Sequence, residues 1–455
     1  MRFTFPDNFL FGCACSACQI ESGCNEGGKG EDVGEHFFNI YPEKFQGGDP
    51  NNSADFYHKY PEDIKMMKEL GLRAFRFSIS WSRIFPNGPD EVCRAGLDYY
   101  SDMIDKLKEA GIVTFFDLFH CDLPYWVIEK GGILDPSFID WFTKYAETCF
   151  KALGDRVDYW CTVNEPSINV FASYAYGSNA PFLKDMSLAF KASHNMLLAH
   201  YKVLRIYKSL GFKGKIGAVI HHVPCYSLTM DERDRRASQV REAYYSGIWL
   251  DPMLKGHYPE ILMSVPYITE KLPKGFEKEL EENFIENDYI AINYYSPGYT
   301  KYIENHGQNY NEELNYEPIS NPKLSTDDYG FKSYPSGLYD LVMDLAERYP
   351  GKDIIITENG IGIKKWGNYE EELEDDYRID YLREHLLAAS RACKAGAPLK
   401  GYFHWSIMDT NELYAGGYQF MFGMTQVRYD KENLERVPRK SWYYYQQVIK
   451  NNEVY

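Results

Sequence analysis

Eight short apolar runs, separated by amphipathic helical stretches, limit what this chain can fold into more than any other feature. They cover residues 9–14, 74–79, 112–119, 157–164, 215–221, 289–294, 353–358 and 401–405. A strand wetted on one face alternates polar and apolar residues, whereas one buried on both faces is predominantly apolar, as these are. In the stretches between them, Pro61 predicts the start of a helix carrying Ile64, Met67 and Leu70 and capped by Gly71. Tyr100, Met103, Ile104 and Leu107 share one face of the next helix, which Gly111 stops. Asp135-Pro136 predicts an N-cap with proline at the first helical position, ahead of Phe138, Trp141, Phe142, Tyr145 and Cys149 and a stop at Gly154. Leu338, Leu341, Val342 and Leu345 mark a helix before the seventh run. Eight buried strands alternating with helices imply a closed parallel sheet, a single (β/α)8 TIM barrel of the α/β class. No Pro/Ser-rich linker, charge block or low-complexity tract divides residues 1–455, so one domain is expected, with extended βα loops forming a pocket.

Composition narrows the partners. With 66 acidic against 49 basic residues and a formal charge of -17, the chain is a poor match for nucleic acid or an anionic membrane. The N-terminus lacks the charged and apolar regions of a secretory signal, and no unbroken apolar span is long enough to cross a bilayer, so a cytoplasmic location is expected. The ten cysteines are then expected to be reduced. Cys13, Cys15, Cys18 and Cys24 cluster, but their spacing matches neither paired zinc sites nor common iron–sulfur runs; they read as small strand and loop residues. Neither a metal nor a cofactor is expected. A homo-oligomer stays open.

In a barrel of this kind, chemistry sits at the C-terminal ends of the strands. Those ends carry Arg76, His120 with Asp122, Asn164-Glu165, Asn293 with Tyr295, Glu358-Asn359 and Trp405. Glu165 and Glu358 each end an apolar strand, the first before Pro166 and the second before the Asn359-Gly360 turn. A lone glutamate in such a place is usually structural, and a histidine or tryptophan there is usually packing. Two glutamates aimed across one barrel suit glycosidic-bond hydrolysis, where one carboxyl protonates the leaving oxygen and another meets the oxocarbenium-like carbon. No strand end offers the lysine that a Schiff-base aldolase would need.

Thr162-Val163-Asn164-Glu165-Pro166 and Ile355-Ile356-Thr357-Glu358-Asn359-Gly360 closely resemble the two catalytic motifs of glycoside hydrolase family 1, the β-glucosidases and 6-phospho-β-glycosidases. The resemblance extends over the whole chain. It includes Phe9-Leu10-Phe11-Gly12 with Gln19-Ile20-Glu21, the run from Arg76 to Ile84, Ile292-Asn293-Tyr294-Tyr295, and Gly401-Tyr402-Phe403-His404-Trp405-Ser406. It implies a retaining exo-β-glycosidase that hydrolyses small β-glucosides or related β-glycosides through a covalent glycosyl-enzyme intermediate. By position, Glu358 is the implied nucleophile and Glu165 the acid/base, with Arg76 and Tyr295 beside the nucleophile. Gln19, His120, Asn164, Asn293 and Glu412 are the implied sugar-binding residues, and Trp405 the platform under the ring, set by a cis peptide to Ser406. Alternatives are a 6-phospho-β-glycosidase, a transglycosidase and a catalytically inactive sugar-binding barrel.

The chain also departs from the family pattern. Cys121, Leu413 and Gly34 stand where the resemblance leads one to expect tryptophans, and the loop Tyr414-Ala415-Gly416-Gly417-Tyr418 is one residue longer. Leucine cannot donate the hydrogen bond of an indole, so relaxed sugar selection is expected unless Tyr414 or Tyr418 replaces the donor. The stretch Tyr418-Gln419-Phe420-Met421-Phe422 lacks the lysine that phosphosugar enzymes carry there, leaving Arg428 as the nearest substitute.

Overall fold

All eight apolar runs become neighbouring parallel strands of one closed barrel in the computed structural model, which describes residues 2–455. The strands are β1 (Leu10–Ala14), β2 (Ala74–Ser78), β3 (Val113–Asp117), β4 (Tyr159–Asn164), β5 (Lys215–His221), β6 (Tyr289–Asn293), β7 (Asp353–Asn359) and β8 (Leu399–Trp405). Each pairs with its sequence neighbours, and β8 closes on β1 with Trp405 opposite Ala14. The helices α1 (Phe56–Leu70), α2 (Arg94–Glu109), α3 (Phe138–Leu153), α4 (Met186–Leu210), α5 (Glu232–Glu242), α6 (Pro335–Arg348), α7 (Asp376–Lys394) and α8 (Lys440–Asn451) follow strands β1 to β8 in turn. Among the described residues no helix is long and apolar enough to cross a membrane.

The expected start of α1 is corrected. Pro61 does not open that helix; it lies inside, five residues beyond the first helical residue, Phe56. Phe56 is fully buried, packing against Phe75 and Phe77 of β2, so tertiary packing extends the helix back past the proline to Asp55. Gly71 does cap it, at φ 78°.

Inside the barrel, Phe115, Tyr289 and Phe403 meet edge to face with ring centroids 5.7 and 6.0 Å from Phe115. Gly12 belongs to this layer because a Cβ there would come within 2.4 Å of the Phe403 ring. These rings make a dry floor across the barrel below the strand ends.

Buried arginines hold the long loops above it. Arg378 of α7 donates to the carbonyls of Ile361, Met421 and Phe422. Arg439, just before α8, grips both oxygens of Asp409 at 2.8 and 2.9 Å, and both side chains are buried. Asp409 begins the loop that carries Glu412. Removing one partner leaves the other charge stranded in a dry interior, so Asp409→Ala is expected to cost about 3–5 kcal/mol, while the paired change Asp409→Leu with Arg439→Met costs much less. Urea unfolding of the three proteins measures this; a single variant as stable as the parent contradicts it.

Candidate active site

The ten residues singled out from the sequence converge at the strands' C-terminal ends. Gln19, His120, Asn164, Glu165, Tyr295, Glu358, Trp405 and Glu412 line one cavity of about 310 Å³. Arg76 and Asn293 do not line it; they bond to its walls from beneath.

Arg76 projects from β2 and is completely buried. Its Nη1 donates to Glu358 Oε1 at 2.5 Å, and its Nη2 to Asp117 Oδ2 and Asn164 Oδ1, each at 2.6 Å. Its Nε reaches Asp117 Oδ1 at 3.1 Å. Tyr295 donates to the other oxygen of Glu358 at 2.7 Å, and Phe331 stacks on the Tyr295 ring at 4.6 Å. Glu358 is therefore fixed from both sides by charge-assisted bonds.

Glu165 is held differently. It follows the last residue of β4, and its φ of 42° lies in the left-handed region, unusual for any residue but glycine and costing on the order of 1–3 kcal/mol. Its amide still donates to the Val219 carbonyl of β5. Its carboxyl receives one side-chain donor, the Asn293 amide at 2.8 Å. Thr357 orients that amide by donating to Asn293 Oδ1 at 2.8 Å. A continuous chain of bonds thus runs from Glu165 through Asn293, Asn164 and Arg76 to Glu358.

Burial pushes both carboxyls above their ordinary value, and the contrast between them lies in what opposes that push. For Glu165 the opposition is the Asn293 amide and then the more distant Arg76. For Glu358 the bonded guanidinium of Arg76 leads, with the Tyr295 hydroxyl helping, while the charge of Glu165 adds to the rise. The carboxyl in contact with a cation is the one better able to hold the pair's negative charge.

His120 accepts at Nε2 from the Asn164 amide, 3.0 Å away, which leaves the proton on Nδ1 facing Asp117 at 3.4 Å. Its ring lies nearly parallel to Trp405, with centroids 5.9 Å apart. The Trp405–Ser406 peptide is cis, as the resemblance implied. Glu412 accepts from Gln19 at 3.1 Å and Thr410 at 2.7 Å on one oxygen, and from Tyr329 at 3.3 Å on the other.

Four features escaped the sequence reading. Asp117, the main partner of Arg76, sits inside an apolar run; a carboxylate buried there has to find a cation, and that was the available signal. Tyr329 and Phe331 come from the long segment after β6, which has no periodicity to expose them. Of the two tyrosines expected as substitute donors, Tyr418 instead donates to the Asn52 carbonyl, while Tyr414 packs on Phe45 and lines the cavity; Tyr329 is the phenol that reaches Glu412. Finally, the expectation of ten reduced cysteines is overturned, because Cys18 and Cys121 form a disulfide and the other eight are free. The two lie 103 residues apart and meet only because the loops after β1 and β3 converge at the barrel mouth, which spacing in the chain does not reveal.

Arg428 does not reach the cavity, being paired with Asp430 on the surface. Among the described residues neither lysine nor arginine lines the cavity.

The model of the family described as glycosyl hydrolase family 1 matches residues 1–454. The chain is 37% identical to beta-glucosidase A of Acetivibrio thermocellus over 454 residues, 99% of each protein. It is 31% identical to the 6-phospho-beta-glucosidase GmuD of Bacillus subtilis over 462 residues, covering 99% of this chain and 98% of the relative. Among solved structures, a family 1 β-glucosidase from Thermotoga maritima superposes with a TM-score of 0.93 at 33% identity, covering 100% of this chain and 99% of that one.

Glu412 gives the site a pH-dependent stability. Burial pushes its carboxyl from 4.5 up to about 7, Thr410 and Tyr329 opposing the rise and the charges of Glu358 and Glu165 adding to it. A carboxyl whose folded value is raised favours the folded state below its unfolded value, and that contribution is lost as the pH rises through the folded one. Glu412→Gln, which cannot ionise, is therefore expected to be about 1–3 kcal/mol more stable than the parent at pH 8, with the gap closing toward pH 4.5. Denaturant unfolding across that range checks the trend; a gap independent of pH would count against it.

Proposed function

The chain belongs to glycosyl hydrolase family 1, and on that footing we propose that it is a retaining exo-β-glycosidase acting on small β-glucosides or related β-glycosides. The observation that carries the roles is the unequal bonding of its two glutamates. Glu358, held by Arg76 and Tyr295, is the nucleophile; Glu165, with an amide as its only side-chain donor, is the acid/base. In the first step Glu358 attacks the anomeric carbon while Glu165 gives its proton to the leaving oxygen, releasing the alcohol and forming a glycosyl-enzyme ester. The ester removes the charge of Glu358, so Glu165, now ionised, takes a proton from water, which attacks the same carbon and frees both the sugar and Glu358.

Gln19, Glu412, His120 and Asn164 are the sugar's hydrogen-bond partners in this reading, with Trp405 as its platform. The relatives named beta-glucosidase support a glucoside. A phosphorylated sugar is disfavoured, since a phosphate in a partly desolvated pocket needs cationic donors and none lines this one among the described residues. The unbroken bond chain between the two glutamates favours an active enzyme over an inactive binding barrel.

Glu358→Ala is expected nearly to abolish turnover and to be rescued by azide as an α-glycosyl azide. Glu165→Ala should keep activity on nitrophenyl glycosides and lose about 100- to 10,000-fold on substrates with poor leaving groups. A β-azide from Glu358→Ala would exchange the roles, and an inverted product anomer by NMR would remove the mechanism. With Leu413 in place of an indole donor, discrimination between aryl β-glucoside and β-galactoside in kcat/KM is expected to stay below about 1000-fold. A larger ratio would show that another donor, Tyr329 foremost, enforces selection, which Tyr329→Phe would then relax.

A further inference from the structure

The Cys18–Cys121 disulfide occupies the place where the family resemblance leads one to expect a tryptophan against the sugar. Cys18 immediately precedes Gln19, and Cys121 immediately follows His120. The bond therefore ties together the backbones of two residues that face the same cavity from different loops.

Gln19 is held through its backbone, its carbonyl accepting from the Asn411 amide at 3.1 Å while the Ala17 amide of the same turn donates to Ser78 Oγ at 2.8 Å. Gln19 lies on a helix of one turn, Ala17–Ile20, whose N-cap Ser16 makes no side-chain capping bond; that hydroxyl donates instead to Gln19 Oε1 at 2.6 Å. Beyond Ser16, the Gln19 side chain bonds only to Glu412. His120 is anchored through Asn164, Asp117 and a 2.6 Å bond from the Asn169 amide to its carbonyl. The disulfide thus couples two residues that are otherwise held by separate sets of bonds.

It also serves as a partition. Cys121 lines the main cavity, whereas Cys18 lines a second, of about 20 Å³, together with Lys29, Asp32, Glu35 and Asp122. Leu413 borders both. The disulfide and Leu413 together form the wall between the sugar-facing space and this charged chamber.

Resting on the reading of the main cavity as the glycoside site, we propose that Cys18 and Cys121 are positioning residues whose disulfide sets the placement of Gln19 against His120, and that sugar binding weakens when it is reduced. The exposure of Cys121 to the cavity gives a small dithiol access to the bond. One thiolate of dithiothreitol attacks a disulfide sulfur and its second thiol closes the ring, so that the protein gains two electrons and two protons as thiols and the reagent leaves as a cyclic disulfide. Gln19 then loses its reference to His120, while Arg76, Tyr295, Glu165 and Glu358 keep all the bonds described above.

The test uses the full-length protein before and after dithiothreitol, with free thiols counted in denaturant at each stage. Eight thiols are expected before reduction and ten after. KM for nitrophenyl β-glucoside should rise roughly 5- to 10-fold, the scale of one lost hydrogen bond, while kcat changes less than about twofold. Oxidised glutathione should restore the low KM. The double variant Cys18→Ser with Cys121→Ser should show the raised KM without reductant and no response to it. Glucose affinity, followed by tryptophan fluorescence, should weaken in parallel, and this readout remains usable even if the protein turns nothing over, so a failure of the glycosidase reading is separable. Ten thiols before reduction, an unchanged KM and glucose affinity after two thiols have appeared, or a fall in kcat and melting temperature at constant KM would each overturn the proposal.

Discussion

The structure depends on one buried cation. Arg76 has no contact with water and is surrounded by two carboxylates and an amide oxygen, contributed by β3, β4 and β7. A desolvated guanidinium is tolerable only when its donors are matched, and here its bonds to Asp117, Glu358 and Asn164 do this. One positive charge facing the two negative charges of Asp117 and Glu358 leaves the cluster with an excess of one. Burial raises both glutamates, and the guanidinium is the leading force against that rise at Glu358, whereas at Glu165 it comes second to the Asn293 amide. The difference in setting between two identical side chains is in this sense a property of Arg76 and the floor of rings below it.

How far the sequence disclosed this varied with the kind of interaction involved. The eight strands were legible because burial on both faces makes a strand predominantly apolar, and polar residues at their ends stood out against that background. Asp117 was concealed by the same rule, being counted within an apolar run, and its meaning depends on a cation 41 positions away in sequence. Pro61 misled because local backbone preference was outweighed by the packing of Phe56. Tyr329 and Phe331 lie in an irregular region where short strands, Gly298–Tyr302 and Tyr316–Ile319, pair with each other outside the barrel. Long-range contacts of that sort leave no periodic trace.

The three positions without the indoles that the resemblance implies are neighbours in space. Gly34 lies in the first turn of helix Val33–Ile40, between Asp32 and Glu35, whose side chains form its capping box. Asp32 and Glu35 line the small chamber with Cys18, and Leu413 closes it. Lys29, almost wholly buried, bridges Asp32 at 3.2 Å and Glu35 at 2.7 Å, placing one cation between two carboxylates on that side of the pocket. On this side a disulfide, a leucine and a buried ion cluster adjoin one another in a single region of wall.

The layer of Phe115, Tyr289 and Phe403 closes the barrel axis below the cavity, with Gly12 leaving just enough room for the Phe403 ring. A closed axis turns a potential tunnel into a cul-de-sac. Whatever enters must leave by the mouth it came through, so traffic is last in, first out: the outer part of a bound molecule departs before the part lodged beside the strand ends. On the proposed exo reading, the aglycone leaves first and the sugar last. On that same reading, free sugar in the surroundings competes for the same doorway, coupling the enzyme's pace to how quickly its own product is carried away.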